Sequence, residues 1–200
     1  MNQSIKITFG RIILTIIMLI ILLFPFYSVG INFPKYLIGG IVIDTKYIIA
    51  GIIFIIASLL DLINDYMDKK KKNSNDTSKM FSSISDKFLV NSTLITFASV
   101  GFISPIIPVV VVARDIFVDA IKMETNRNGK AIQVISSGKI KTFAMMVGLV
   151  LMFFYNIPFE FINIRIDLFL IYFATIMSIV SMIEYYTLSK NILFPKNEKL

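Results

Sequence analysis

The sequence predicts an all-α polytopic membrane protein with six transmembrane helices. Three observations predict it. Of 200 residues, 56% are hydrophobic, and the mean hydropathy is +0.78, too apolar for a soluble domain. The apolar residues gather into six runs, several of them near or above the roughly 18–20 residues that cross a bilayer as a helix. Those runs are continuous rather than alternating, which excludes a β-barrel. The chain has no cysteine and no histidine. Disulfides, thiolate catalysis, imidazole bases and most zinc sites are thereby removed. A metal here must be hard and oxygen-bound, such as Mg²⁺ or Mn²⁺. The net charge of +7 is read as loops facing anionic lipid, with no nucleic-acid partner expected.

The chain is expected to form one membrane domain, residues 1–200. Residues 1–10 are mixed in polarity and read as an interfacial lead-in. Arg11 opens the first span, about 12–28, which lacks a small-residue cleavage site and is followed by further spans, so it is kept as a helix rather than a signal peptide. Residues 29–46 read as a loop, with Gly30, Pro34, Gly39 and Gly40. The second span is about 47–67 and contains Asp61. A polar hinge over 69–80 leads to the third span, about 81–101. Gly101 to Pro105 is a tight turn, because the residue before a proline leaves the helical region. The fourth span, about 106–122, carries Arg114, Asp115 and Asp119. Residues 123–138 are polar, and the fifth and sixth spans are about 140–155 and 168–187.

Counting lysines and arginines sets the topology. With both termini on one side, that side holds seventeen of the twenty basic residues, and only Lys35, Lys46 and Arg165 lie opposite. The positive-inside rule then places both termini, the 69–80 hinge and the 123–139 loop in the cytoplasm of a multi-pass plasma-membrane protein. It also gathers Asp61, Asp86, Arg114, Lys122, Lys139 and Lys141 near one face.

The stretch from Asp61 to Asp86 holds five of the thirteen acidic residues. Ionisable groups at the edge of a membrane span mark a functional site by default. Asp61, Asn64, Asp65 and Asp68 share one helical stripe, and Ser82 and Asp86 are one turn apart on the next helix. Two facing stripes make an oxygen-lined cleft suited to a divalent ion and a phosphate. The plainer reading is a solvated hinge with charged helix ends. Arg114, Lys139 and Lys141 are candidate ligands of a phosphate-bearing acceptor, against a plainer reading of the lysines as headgroup anchors.

These residues also carry a resemblance. The pattern D-x2-D-G-x2-A-R-x8-G-x3-D-x3-D of the CDP-alcohol phosphatidyltransferases fits without a gap onto Asp61, Asn64, Asp65, Asp68, Lys69, Ser78, Ser82 and Asp86. The flanks resemble the phosphatidylglycerophosphate synthase branch: Ile7-Thr8 with Arg11 and Leu14, Ala57-Ser58-Leu59, Asp86-Lys87-Phe88-Leu89-Val90, Ala113-Arg114-Asp115, Gly138-Lys139-Ile140-Lys141-Thr142 and Glu184-Tyr185. The resemblance implies six helices, often a homodimer, and a cytoplasm-facing cavity. It implies attack of glycerol 3-phosphate on CDP-diacylglycerol, with four carboxylates holding two divalent ions and the last one taking the proton of the attacking alcohol.

Here only Asp61 and Asp86 keep the motif's identity. By the resemblance Asp86 is catalytic base and metal ligand, and Asp61 is a ligand. Asn64, Asp65 and Ser82 are further candidate ligands of Mg²⁺ or Mn²⁺, while Lys69, Ser78, Arg114, Lys139 and Lys141 are candidates for substrate binding. Lys69 keeps a charge but lacks the bidentate fork of arginine. The alternative reading is a catalytically impaired paralogue that binds anionic phospholipid or an active homologue, or acts on a related lipid phosphate.

Overall fold

The computed structural model describes residues 3–70, 76–129 and 135–193; the side chains at 3–4, 65–70, 76–80 and 191 lie outside the described set. Six helices form the bundle: α1 (Gln3–Leu23), α2 (Thr45–Lys70), α3 (Asp76–Val100), α4 (Ile106–Arg127), α5 (Ser136–Phe153) and α6 (Ile166–Leu193). Four of them, α1, α2, α5 and α6, contain stretches long and apolar enough to cross a membrane. Helices α3 and α4 are of similar length but carry Asp86, Lys87, Arg114, Asp115, Asp119 and Lys122 within their turns. The helices outrun the predicted spans mainly at their polar ends. The segment read as an interfacial lead-in continues α1 from Gln3, whereas α1 stops at Leu23, two residues before Pro25.

The breaks between helices follow local chemistry. Gly101, at φ +87°, lets the chain leave α3 in the left-handed region, and Pro105 and Pro108 sit in the first turn of α4, where a missing N–H costs no helical bond. The 29–46 connection, read from sequence as a loop, contains a hairpin of β1 (Lys35–Ile38) and β2 (Ile41–Asp44). Its two-residue turn, Gly39-Gly40, has φ of +59° and +86°, the combination that matches the twist of the paired strands. Asp44 at its end is a hub. One carboxylate oxygen accepts the Lys46 amide at 3.0 Å, the other accepts the Tyr27 hydroxyl at 2.9 Å, and the Asp44 amide donates to the Tyr155 hydroxyl at 2.8 Å. Burial pushes the Tyr155 phenol up to about 12, so it stays protonated.

Inside the bundle, Phe54, Phe97 and Phe153 meet with ring centroids 5.4 and 4.7 Å apart, flanked by Tyr47, Met18, Leu94, Met145 and Leu149. The outward faces are aliphatic and aromatic, among them Ile13, Ile20, Ile52, Leu59, Phe143, Phe169 and Ile176, as a lipid-facing surface requires. Helix α5 lies against α6, α1 against α2 and α3, and α4 against α6.

Small residues permit the closest crossings. A Cβ on Gly51 would stand 2.7 Å from the Phe153 Cβ, so α2 and α5 could not keep their separation. Gly51→Ala is expected to destabilise the bundle by about 1–3 kcal/mol, as overpacking does. Gly10→Ala, where a Cβ meets nothing within 4 Å, serves as control and is expected to be neutral or slightly stabilising. Thermal unfolding of both variants in detergent checks this; equal midpoints would mean a looser α2–α5 crossing.

Candidate functional site

The spacing on α2 and α3 brings four of the motif positions together. Asp61 and Asn64 lie one turn apart on α2, and Ser82 and Asp86 one turn apart on α3. The Ser82 hydroxyl donates to Asp61 Oδ1 at 3.3 Å and accepts from Asn64 Nδ2 at 3.5 Å. This orients the Asn64 amide and leaves its Oδ1 buried with no hydrogen-bond donor. The asparagine is 0% exposed.

Helix α1 supplies the fifth member, Arg11, which is also 0% exposed. Its Nη1 donates to Asp61 Oδ1, and its Nη2 lies 3.5 Å from Asp86 Oδ1. The two motif carboxylates therefore share one guanidinium, an excess of one negative charge among the described residues. The Asp86 side chain is 25% exposed and that of Asp61 14%, so the cluster opens on the Asp86 side.

A second polar cluster joins α3, α4, α5 and α6. Asp115 Oδ1 accepts from Arg114 Nη1 and from Lys141 Nζ, each at 2.9 Å, and its Oδ2 accepts from Asn91 at 3.3 Å. Arg114 Nη2 donates to Ser181 at 2.6 Å. Two cations share one carboxylate, leaving one net positive charge. The two clusters adjoin along α3, which gives Asp86 to the first and, five residues on, Asn91 to the second. Nearby, the Ser137 hydroxyl donates to Glu184, and the Tyr185 hydroxyl accepts the Ile135 amide at 3.3 Å, which ties the entry of α5 to α6.

Of the residues singled out from sequence, Asp61, Asn64, Ser82 and Asp86 come together, and Arg114 and Lys141 come together around Asp115. Lys139 is exposed on the first turn of α5 and makes no ion pair among the described residues. Asp119 pairs with Lys87 rather than with Arg114. Asp65 and Lys69 lie on α2 and Ser78 on α3, but their side chains fall outside the described residues. Sequence reasoning gave Arg11 no place in the site. The available signal was an arginine set a turn and more beyond Lys6, at the start of the apolar run of α1, where a charge needs a buried partner. Asn91 and Ser181 carried no such signal.

The resemblance implies a pair of divalent ions, and the donors among the described residues do not fit a pair. Among the described residues no three of Asp, Glu, His or Cys converge. They do fit one ion: two carboxylates, the orphaned Asn64 amide oxygen and the Ser82 hydroxyl are hard oxygen donors on two facing helix stripes.

The Asp115 cluster makes a stability prediction. Asp115→Ala leaves Arg114 and Lys141 buried beside each other without their shared anion. Breaking such a group is expected to cost about 3–5 kcal/mol, and Asp115→Ala with Lys141→Met should recover part of the loss. Thermal unfolding of the single and double variants in detergent measures it; an additive double variant would show that the two groups are not coupled.

The sequence profile of the CDP-alcohol phosphatidyltransferases matches residues 1–185. The chain is 28% identical over 190 residues to the CDP-diacylglycerol–glycerol-3-phosphate 3-phosphatidyltransferase of Bacillus subtilis (strain 168), covering 95% of both chains. It is 28% identical over 175 residues to the protein of that name from Haemophilus influenzae, covering 85% of this chain and 88% of the other. A similar protein of that name from Mycoplasma genitalium is 27% identical over 118 residues, covering 58% of this chain and 50% of the other. The match runs through every helix that contributes to the two polar clusters, and by it the chain belongs to the CDP-alcohol phosphatidyltransferase family.

Proposed function

We propose that this chain transfers a phosphatidyl group from CDP-diacylglycerol to glycerol 3-phosphate. The observation that carries the reading is the meeting of Asp61, Asn64, Ser82 and Asp86 at the motif's own spacing, in a chain similar to such synthases along nearly its whole length. The acceptor hydroxyl attacks the phosphorus that bears the diacylglycerol. The bond from that phosphorus to the bridging oxygen breaks, CMP leaves, and the hydroxyl proton passes to Asp86. Phosphatidylglycerophosphate is the product.

Each cluster has a part in this step. Asp86, the most exposed charged member of its group, takes the proton from the acceptor that approaches its open side. Arg114 and Lys141, with one positive charge in excess of Asp115, draw the acceptor phosphate toward that side, with exposed Lys139 near the mouth. Lys69 and Ser78 flank the diphosphate by the resemblance, and Asp65 stands beside Asn64 as a further acidic group. A single Mg²⁺ or Mn²⁺ held by Asp61, Asp86, Asn64 and Ser82 would offset the charge that develops on the diphosphate. The bias of basic residues supports cytoplasmic termini, a cytoplasmic mouth and placement in the plasma membrane. A homodimer belongs to the same reading.

The test is CMP release by purified protein in detergent with CDP-diacylglycerol, glycerol 3-phosphate and Mn²⁺. Asp86→Ala is expected to lower the rate by about 10²–10⁴-fold, the range for loss of a positioned general base, and Asp61→Ala to abolish metal dependence with the rate. An Asp86→Ala variant with wild-type turnover would sink the base assignment. No release from wild type, beside an active Bacillus subtilis relative in the same detergent, would sink the transferase reading in favour of a lipid- or partner-binding role.

A further inference from the structure

Arg11 and Asn64 present opposite unmet demands side by side. Asn64 Oδ1 is a buried acceptor without a donor, the demand of a cation. Arg11 Nε is a buried nitrogen without a hydrogen-bond acceptor, the demand of an anionic oxygen, while Nη2 meets Asp86 only at 3.5 Å. Both side chains are fully buried, and both lie against Asp61, Arg11 directly and Asn64 through Ser82.

Charge limits how many ions can enter. Among the described residues, two carboxylates face one guanidinium. A pair of divalent ions would leave three net positive charges before any substrate arrives, and the ions repel each other about four times as strongly as unit charges at the same distance. A single divalent ion leaves one net positive charge, which suits a diphosphate.

We infer that this site takes one divalent cation, and that the Arg11 guanidinium serves as its second positive group, binding a diphosphate oxygen. The ligand class is a nucleoside diphosphate joined to a lipid, and the inference rests on the transferase reading for that identity. Before metal binds, Arg11 holds Asp61 and Asp86 together and competes with the incoming ion. Once metal draws the two carboxylates away, Arg11 Nε and the released Nη2 bind the diphosphate. Arg11 is then a binding residue that α1 contributes to a motif written on α2 and α3.

The experiment is a Mn²⁺ titration of the full chain in detergent without substrate, followed by the electron paramagnetic resonance of free Mn²⁺. The wild type is expected to take up about one ion per chain, and Asn64→Asp with Ser82→Asp about two. Arg11→Gln removes the competing cation, so Mn²⁺ should bind at least about tenfold tighter, while CDP binding in the presence of Mn²⁺ weakens by about tenfold or more. Arg11→Lys keeps the charge and should keep the wild-type Mn²⁺ affinity. Uptake of two ions or none by the wild type overturns the inference, as does an Arg11→Gln variant with unchanged Mn²⁺ affinity. If Arg11→Gln does not fold, the stoichiometry of the wild type and the double-aspartate variant decides. The count needs no turnover: one ion without CMP release sinks only the transferase reading, and two ions with CMP release sink only this inference.

Discussion

A charge in the middle of an apolar bundle must be answered where it stands. Arg11 is fully buried in a helix whose outer faces are isoleucine and leucine, and its counter-ions come from two other helices. That one requirement fixes α1 against α2 and α3 at the level of Asp61 and Asp86. The same logic holds at Asp115, whose partners come from α3, α4 and α5, with Ser181 of α6 completing the Arg114 fork. Hydrocarbon packing between lipid-soluble helices is weakly directional, because lipid tails are as apolar as leucine. The ion pairs and hydrogen bonds supply the direction that the Phe54–Phe97–Phe153 core cannot.

The two clusters differ in sign, and their closeness is informative. Among the described residues one keeps a net negative charge around Arg11 and the other a net positive charge around Asp115, and α3 runs through both. A cation and a phosphate are thereby offered neighbouring seats. This division also accounts for α3 and α4 being the least lipid-like of the six helices. Their charged turns face inward to the clusters, so they carry the polar groups while α1, α2, α5 and α6 carry most of the apolar length.

Much of this was legible before any coordinates. The six helices follow from six apolar runs, and the Asp61–Asn64 and Ser82–Asp86 stripes follow from helical spacing, which the hydrogen bonds between them bear out. Helix ends were less legible, because polar residues such as Gln3, Lys70 and Asp76 prolong a helix beyond its apolar run without leaving a hydropathy signal. The hairpin was missed because two four-residue strands show too little alternation to register, although Gly39-Gly40 is a strong turn signal. Arg11 was missed as a site member for another reason. A lone arginine near the start of a span looks like a headgroup anchor until its depth and partners are known. Neutral polar residues such as Asn91 and Ser181 are common in spans and announce nothing until an ionised neighbour is seen beside them.

At the far end from the charged clusters, the Asp44 hub fastens the segment after α1, the start of α2 and the end of α5 with three short hydrogen bonds. Asp61 lies about 24 Å along α2 from Thr45, at 1.5 Å per residue. With one end pinned, α2 is a lever whose fulcrum is the hairpin. A tilt of only about 5° about that point carries Asp61 through about 2 Å, enough to part it from Arg11. Asp61 is thus held from both directions, by the Asp44 hub at the start of α2 and by Arg11 and Ser82 at its own level, so the ion pair registers any tilt of the helix.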